Sequence, residues 1–222
     1  MQILKDVKDE FIMIFKGKTL DTFFSPIVFY IVYNWVSLEW AIVGSVTYTS
    51  VVFFYRKLKR QNSFYATFGL VFVVIAASLA YINQNSTNYF LPGINSNLFI
   101  LLVSLFSILF EKPLAAYLSH ITRGWPLAWF ERKDIKPAYM EVTFFWLFMF
   151  FIRSMAEIYF YFVNYKDGLI ALDTIIGMPA LLIVLALSYI YGILRLNSLK
   201  GPSVDEFLNQ VEPPFKGQKK GF

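Results

Sequence analysis

Cysteine is absent from all 222 residues, which excludes disulfides, thiolate nucleophiles and cysteine-held metals and leaves the redox compartment unread. Histidine occurs once, at His120, so one chain cannot build a multi-histidine metal site. Charge is scarce as well: Asp, Glu, Lys and Arg make up 16% of the residues, where a soluble domain carries about a quarter. What the chain has instead is apolar surface, 57% hydrophobic and 20% aromatic residues, more than a water-soluble core of this length can hide. Lipid must cover the excess.

Apolar runs at residues 20–37, 39–55, 64–82, 96–111, 139–163 and 169–195 read as six membrane spans. The shorter ones gain reach from flanking Tyr, Trp and Lys. A closed β-barrel would alternate polar and apolar residues along each strand, and the uninterrupted runs at 71–79 and 181–187 do not. The fold class expected is therefore all-α: a polytopic membrane helical bundle of about six transmembrane helices, occupying residues 19–197. Of the 20 Lys and Arg residues, eighteen fall before the first run, after the second, between the fourth and fifth, or at and beyond the end of the sixth. The alternate connections hold only Lys166, and Arg153 lies inside the fifth run. By the positive-inside rule both termini are cytoplasmic. Basic residues spread in this way anchor a membrane protein and give no groove-binding face, so no nucleic acid is expected.

Residues 1–18 are too charged to span. Leu4, Val7, Phe11, Ile14 and Phe15 recur at helical spacing, which predicts an amphipathic helix on the cytoplasmic leaflet. A second short interfacial helix is predicted after the fourth run, opened by Pro113 behind Lys112 and stopped by Gly124 and Pro126, with Trp125 and Trp129 at headgroup depth. Lys112, Pro113 and Trp125 mark this cytoplasmic interface. His120, with no second His or Cys to support it, faces headgroups or water in this reading. Residues 198–222 read as a flexible cytoplasmic tail in which Ser203 and Glu206 have capping-box spacing for one helical turn.

Chemistry concentrates on the fifth and sixth runs. Arg153 falls about 14 residues, or roughly 21 Å, from the start of the fifth run, toward the outer half of the bilayer. A charge there costs about 2.5–3.5 kcal/mol on insertion scales and needs a partner. Glu157 is one helical turn away, and Asp173 in the sixth run lies at comparable depth. Arg153, Glu157 and Asp173 form the candidate charge cluster: an ion pair holding two helices in register, or a site for a solute or a relayed proton. Glu111, Asp21 and Glu141 fall near helix ends, where carboxylates cap or snorkel. Gly44 with Ser45, Ala76 with Ala77, Ser104 with Ser107, and Gly177 are candidate close-packing positions, and Pro26 and Pro179 candidate kinks.

The Tyr55-Arg56-Lys57 ending of the second run, Lys112-Pro113-Leu114 after the fourth, Ala156-Glu157-Ile158-Tyr159 in the fifth and the 192–195 ending of the sixth resemble the intracellular septation protein A family. With Phe90-Leu91-Pro92-Gly93, the pattern is also similar to a related uncharacterised family of actinobacterial membrane proteins. The resemblance runs from about Thr22 to Arg195, with Glu157 a departure from the septation pattern. It implies a bacterial inner-membrane protein tied to envelope maintenance or division, acting through other membrane proteins, and it carries over no catalytic residues. The function expected is that of a non-catalytic scaffold or accessory subunit, with a small transporter or channel centred on the Arg153 cluster between the fifth and sixth spans as the alternative. An enzyme ranks third for want of paired water-facing carboxylates, and no Lys lies in mid-span for a retinal Schiff base. No cofactor and no metal are expected. The partners expected are membrane lipids and other membrane proteins, with homo-oligomerisation left open.

Overall fold

The computed structural model of the chain describes residues 20–59 and 64–222; the amphipathic segment expected over 1–18 lies outside them, as do the side chains of Asp21, Pro26 and Pro179. Every regular element among the described residues is helical: α1 (Leu20–Trp35), α2 (Leu38–Leu58), α3 (Phe64–Ile82), a 3-10 turn (Ser86–Phe90), α4 (Leu91–Leu109), α5 (Leu114–Arg123), α6 (Leu127–Phe130), α7 (Lys136–Phe162), α8 (Lys166–Ile170), a π-helical stretch (Ala171–Gly177), α9 (Met178–Leu199) and α10 (Val204–Leu208). Among the described residues four stretches are long and apolar enough to cross a membrane, Leu38–Leu58, Ser86–Leu109, Lys136–Phe162 and Ala180–Leu199, and Thr67–Ile82 is a shorter apolar helix. Their outward faces carry large exposed apolar side chains, among them Phe54, Phe72, Phe99, Phe148 and Ile183.

Two boundaries differ from the sequence expectation. The fourth apolar run starts its helix at Leu91 and not at residue 96, because Pro92 is tolerated in a first turn and the polar Asn95, Ser96 and Asn97 are part of the helix. Ser96 satisfies its hydroxyl on the Pro92 carbonyl. The sixth run is not one α-helix: α8 gives way to the π-helical stretch at 171–177, and α9 follows. Pro179 has no N–H to give the carbonyl one turn back, so regular α pairing is interrupted at this place.

By their contacts the described residues divide into two compact units, one of those between 20 and 97 with Arg153–Ala180, the other of Leu98–Ile152 and Leu181–Phe222. In the first, α1 packs on α2, α2 on α3, and α3 on the 3-10 turn. Small side chains permit the approach: Ala41, Ser45, Ala76, Ala77 and Ala80 are buried. Polar groups tie the helices together. Thr49 donates to Ser25 Oγ at 3.2 Å, and Ser25 in turn pairs with the Tyr89 hydroxyl. The Phe29 ring stacks on Tyr89 at 3.8 Å.

The second unit is built on Trp129, Phe130, Ile135, Tyr139, Leu196 and Val204. Trp129 is fully buried and donates its indole N–H to the Pro202 carbonyl, so it does not sit at headgroup depth as its sequence context predicts. α5 ends as expected, on Gly124 in the left-handed region (φ 70°) with its N–H on the His120 carbonyl. His120 pairs through Nδ1 with the Trp125 carbonyl, closing the same turn. The capping box of Ser203 and Glu206 forms at the start of α10. Beyond it, residues expected only as a flexible tail take a defined course: Phe222 stacks on Tyr139 at 4.2 Å, Gly221 donates to the Tyr189 hydroxyl, and Arg123 donates to the Phe222 carbonyl. Glu141 is not a simple helix-end carboxylate, for it accepts from Arg195 through both oxygens and from the Tyr191 hydroxyl at 2.6 Å.

Candidate functional site

The three charged residues singled out in the sequence meet in the first unit. Arg153 stands on α7 about 26 Å from Lys136 at 1.5 Å per residue, deeper than a start at residue 139 implies. Arg153 and Glu157 are four residues apart and so share a helix face, and Nε donates to Glu157 Oε1 at 2.7 Å. The other end of the guanidinium reaches the π-helical stretch, where Nη2 donates to Asp173 Oδ1 at 2.8 Å. The fork geometry of arginine allows this double engagement; a lysine would supply one point charge.

A fourth member, Asn97 on α4, is one the sequence reading passed over. Its Nδ2 donates to Glu157 Oε1 at 2.7 Å and to Oε2 at 2.9 Å. The signal was available: an amide inside an apolar span must find partners, and a carboxylate is the strongest acceptor within reach. Glu157 is almost closed off, 2% exposed, whereas Arg153 and Asp173 keep 25% and 23% of their side-chain surface open.

Two glycines shape the walls. A Cβ on Gly177 would stand 3.0 Å from the Leu172 carbonyl and 3.1 Å from Arg153 Nη1, so the guanidinium packs against the bare backbone there. A Cβ on Gly93 would lie 3.7 Å from Asp173 Oδ2, an ordinary contact. Further along the same faces, Tyr161 donates to Asn88 at 2.8 Å, Asn85 donates to Asn164 at 3.0 Å, and the Lys166 ammonium sits 4.1 Å above the Tyr33 ring. These contacts tie the 3-10 turn to the end of α7 and the loop after it, and α8 to α1.

Two carboxylates share one guanidinium, which leaves a formal charge of one negative among these residues, with no further cation bonded to them among the described residues. An apolar surrounding penalises uncompensated charge by several kcal/mol. The arrangement can lower that penalty by holding a proton, or by admitting a small cation. Among the described residues no group of three or more His, Asp or Glu side chains is placed to hold a metal ion.

The other residues singled out lie in the second unit and do not form one site. Lys112 and Pro113 line a cavity of about 470 Å³ with Phe110, Tyr117, Phe130 and Lys136, and Lys136 is itself bridged to Glu111 at 2.9 Å. That bridge holds the Glu111 carboxyl below its ordinary value. Trp125 lines none of this cavity; it packs on Trp129 at 5.4 Å and under the Arg123 guanidinium.

No curated protein matches the chain, and neither does any solved structure. The profile of one family, described as a protein of unknown function (DUF3159), matches residues 18–198. That match covers most of the chain, including every residue of the charged cluster, and the chain therefore belongs to the DUF3159 family.

Proposed function

We propose that this protein is a six-span protein of the bacterial inner membrane, with both ends cytoplasmic, that carries protons or a proton-coupled solute through the Arg153 network. One observation supports the reading above the others: two carboxylates on one guanidinium, set between apolar helices at a π-helical interruption. Structural ion pairs balance their charges; a network with one carboxylate in excess is suited to gaining and losing a proton. π-Helical insertions occur often at functional sites, and discontinuous helices are a common feature of transporters.

The test is reconstitution of the full chain into liposomes loaded with a pH-sensitive dye, with a potassium diffusion potential imposed across the membrane. Proton entry well above that of empty liposomes, lost in Arg153→Met, supports transport. No entry in either direction, with the protein folded and inserted, removes it.

A second reading is a non-catalytic scaffold or accessory subunit of envelope maintenance, the role that resemblance to the septation protein A family implies. Its support is the apolar surface of the short elements, where Ile121 on α5 and Leu208 on α10 stand exposed. Cross-linking in membranes followed by purification would recover a defined membrane-protein partner, or a second copy, lost on Ile121→Ser and Leu208→Ser. Recovery of lipid alone counts against it.

A further inference from the structure

We infer that Asp173, and not the more deeply buried Glu157, is the carboxyl of this network that takes up and releases the proton. The assignment rests on the proton-carrying reading above for its physiological meaning, but its evidence is the local geometry.

Glu157 is occupied. Both of its oxygens accept from Asn97, and Oε1 accepts from Arg153 as well. With 2% of its side chain open, a proton reaching it must displace one of these donors and has no exposed surface by which to arrive. Asp173 differs on each count. Oδ1 accepts from Arg153, but Oδ2 has no hydrogen-bond donor among the described residues and faces the bare Cα of Gly93. Nearly a quarter of its side chain is open. It also sits in the π-helical stretch, where the regular backbone pairing is already interrupted.

The ionisable groups whose charges act on Asp173 are Arg153 and Glu157 on α7, and Asp173 in turn acts on the Tyr89 phenol of the 3-10 turn. Two further elements pack against the stretch: α1, which carries no charged residue after Asp21, and α8, which carries Lys166 and Asp167. A proton on Oδ2 therefore brings the cluster from one excess negative charge to neutrality while Oδ1 keeps its bond to Arg153. The step is plain proton transfer: a hydronium gives its proton to Oδ2 and leaves as water, and release reverses it, with no electron transfer. A metal cation would fit less well, since it would meet one free carboxylate oxygen and a guanidinium held 2.8 Å from its neighbour.

Infrared difference spectroscopy on the purified full chain in lipid nanodiscs, acid minus alkaline, tests the assignment. A carboxyl set among apolar helices and bonded on one oxygen to a guanidinium gives a carbonyl stretch at a different frequency from carboxyls in bulk water. The expected spectrum has such a band in the wild type, lost in Asp173→Asn, kept in Glu157→Gln, and shifted in frequency in Asp173→Glu. That last variant keeps the test decisive should Asp173→Asn fail to fold. A band lost in Glu157→Gln and unchanged in Asp173→Glu would overturn the assignment, as would a wild type with no such band. The outcome is separable from transport: an intact Asp173 band in a protein that moves no protons removes the transport reading and leaves the site.

Discussion

Replacing Arg153 by Met removes the one cation of the network while keeping the length of the side chain. Two carboxylates then lose their shared cation, and among the described residues Asn97 is the remaining donor to Glu157. Opposite charges about 4 Å apart attract by about 4 kcal/mol at an effective dielectric of 20, and stranding one partner of a buried pair costs about 3–5 kcal/mol. Because Arg153 and Asp173 retain 25% and 23% of their surface, the low end applies, about 3 kcal/mol. For a chain of this size each kcal/mol moves the melting temperature by roughly 2–4 °C, so a fall of about 6–12 °C is expected. The assay is thermal unfolding in mild detergent, run alongside the double variants. Arg153→Met with Glu157→Gln should recover more of the loss than Arg153→Met with Asp173→Asn, since Glu157 is the carboxylate with the less open surface. A neutral Arg153→Met, or double variants whose losses simply add, would refute the reasoning.

Gly177→Ala places a methyl 3.1 Å from the Arg153 guanidinium and should lower the melting temperature, while Gly93→Ala makes an ordinary 3.7 Å contact and should leave it unchanged or slightly raised, both read in the same detergent assay. Glu206 accepts from the backbone N–H groups of Ser203, Lys216 and Gly217, which hold its carboxyl down at about 2 from an ordinary 4.5. A carboxyl so depressed stabilises its surroundings at every pH above the ordinary value and stops doing so as pH falls toward 2. Limited proteolysis between residues 204 and 217 by an acid-active protease should therefore rise over that fall in pH, and Glu206→Gln should show the raised cleavage already at about pH 4.5, where the wild-type carboxylate is still ionised. Reporter fusions after Lys59, Arg132 and Lys216 should read as cytoplasmic and fusions at Asn88 and Asp167 as external; the opposite pattern at Arg132 and Asn88 would overturn the orientation.

Apolar runs and punctuation by Gly and Pro are one-dimensional signals, and they made the all-helical class and the four span-length helices among the described residues legible. Gly124 and the Ser203–Glu206 pair specify their turns locally, and both turns form where the residues place them. The meeting of Arg153, Glu157 and Asp173 was legible because apolar surroundings oblige charges to pair, and helical spacing restricts the partners. Asn97 was missed because polar residues near the start of an apolar run read equally well as its boundary. Trp129 was misplaced because its partner, the Pro202 carbonyl, is distant in sequence and polar only through its backbone. The Glu141–Arg195 pair was hidden for a related reason: each residue alone reads as a helix-end anchor, and only packing reveals that the two face each other. The π-helical stretch has a local cause in Pro179, yet a proline in a span can as readily give a simple bend.

Transient charge movement on a solid-supported membrane tests the central claim most directly. With reconstituted protein adsorbed to the support, a step to acidic buffer should drive a brief inward displacement of positive charge in the wild type and in Glu157→Gln, and none in Asp173→Asn. A wild type that gives no transient while correctly inserted, or an Asp173→Asn variant whose transient equals that of the wild type, would contradict a proton-exchanging site at Asp173.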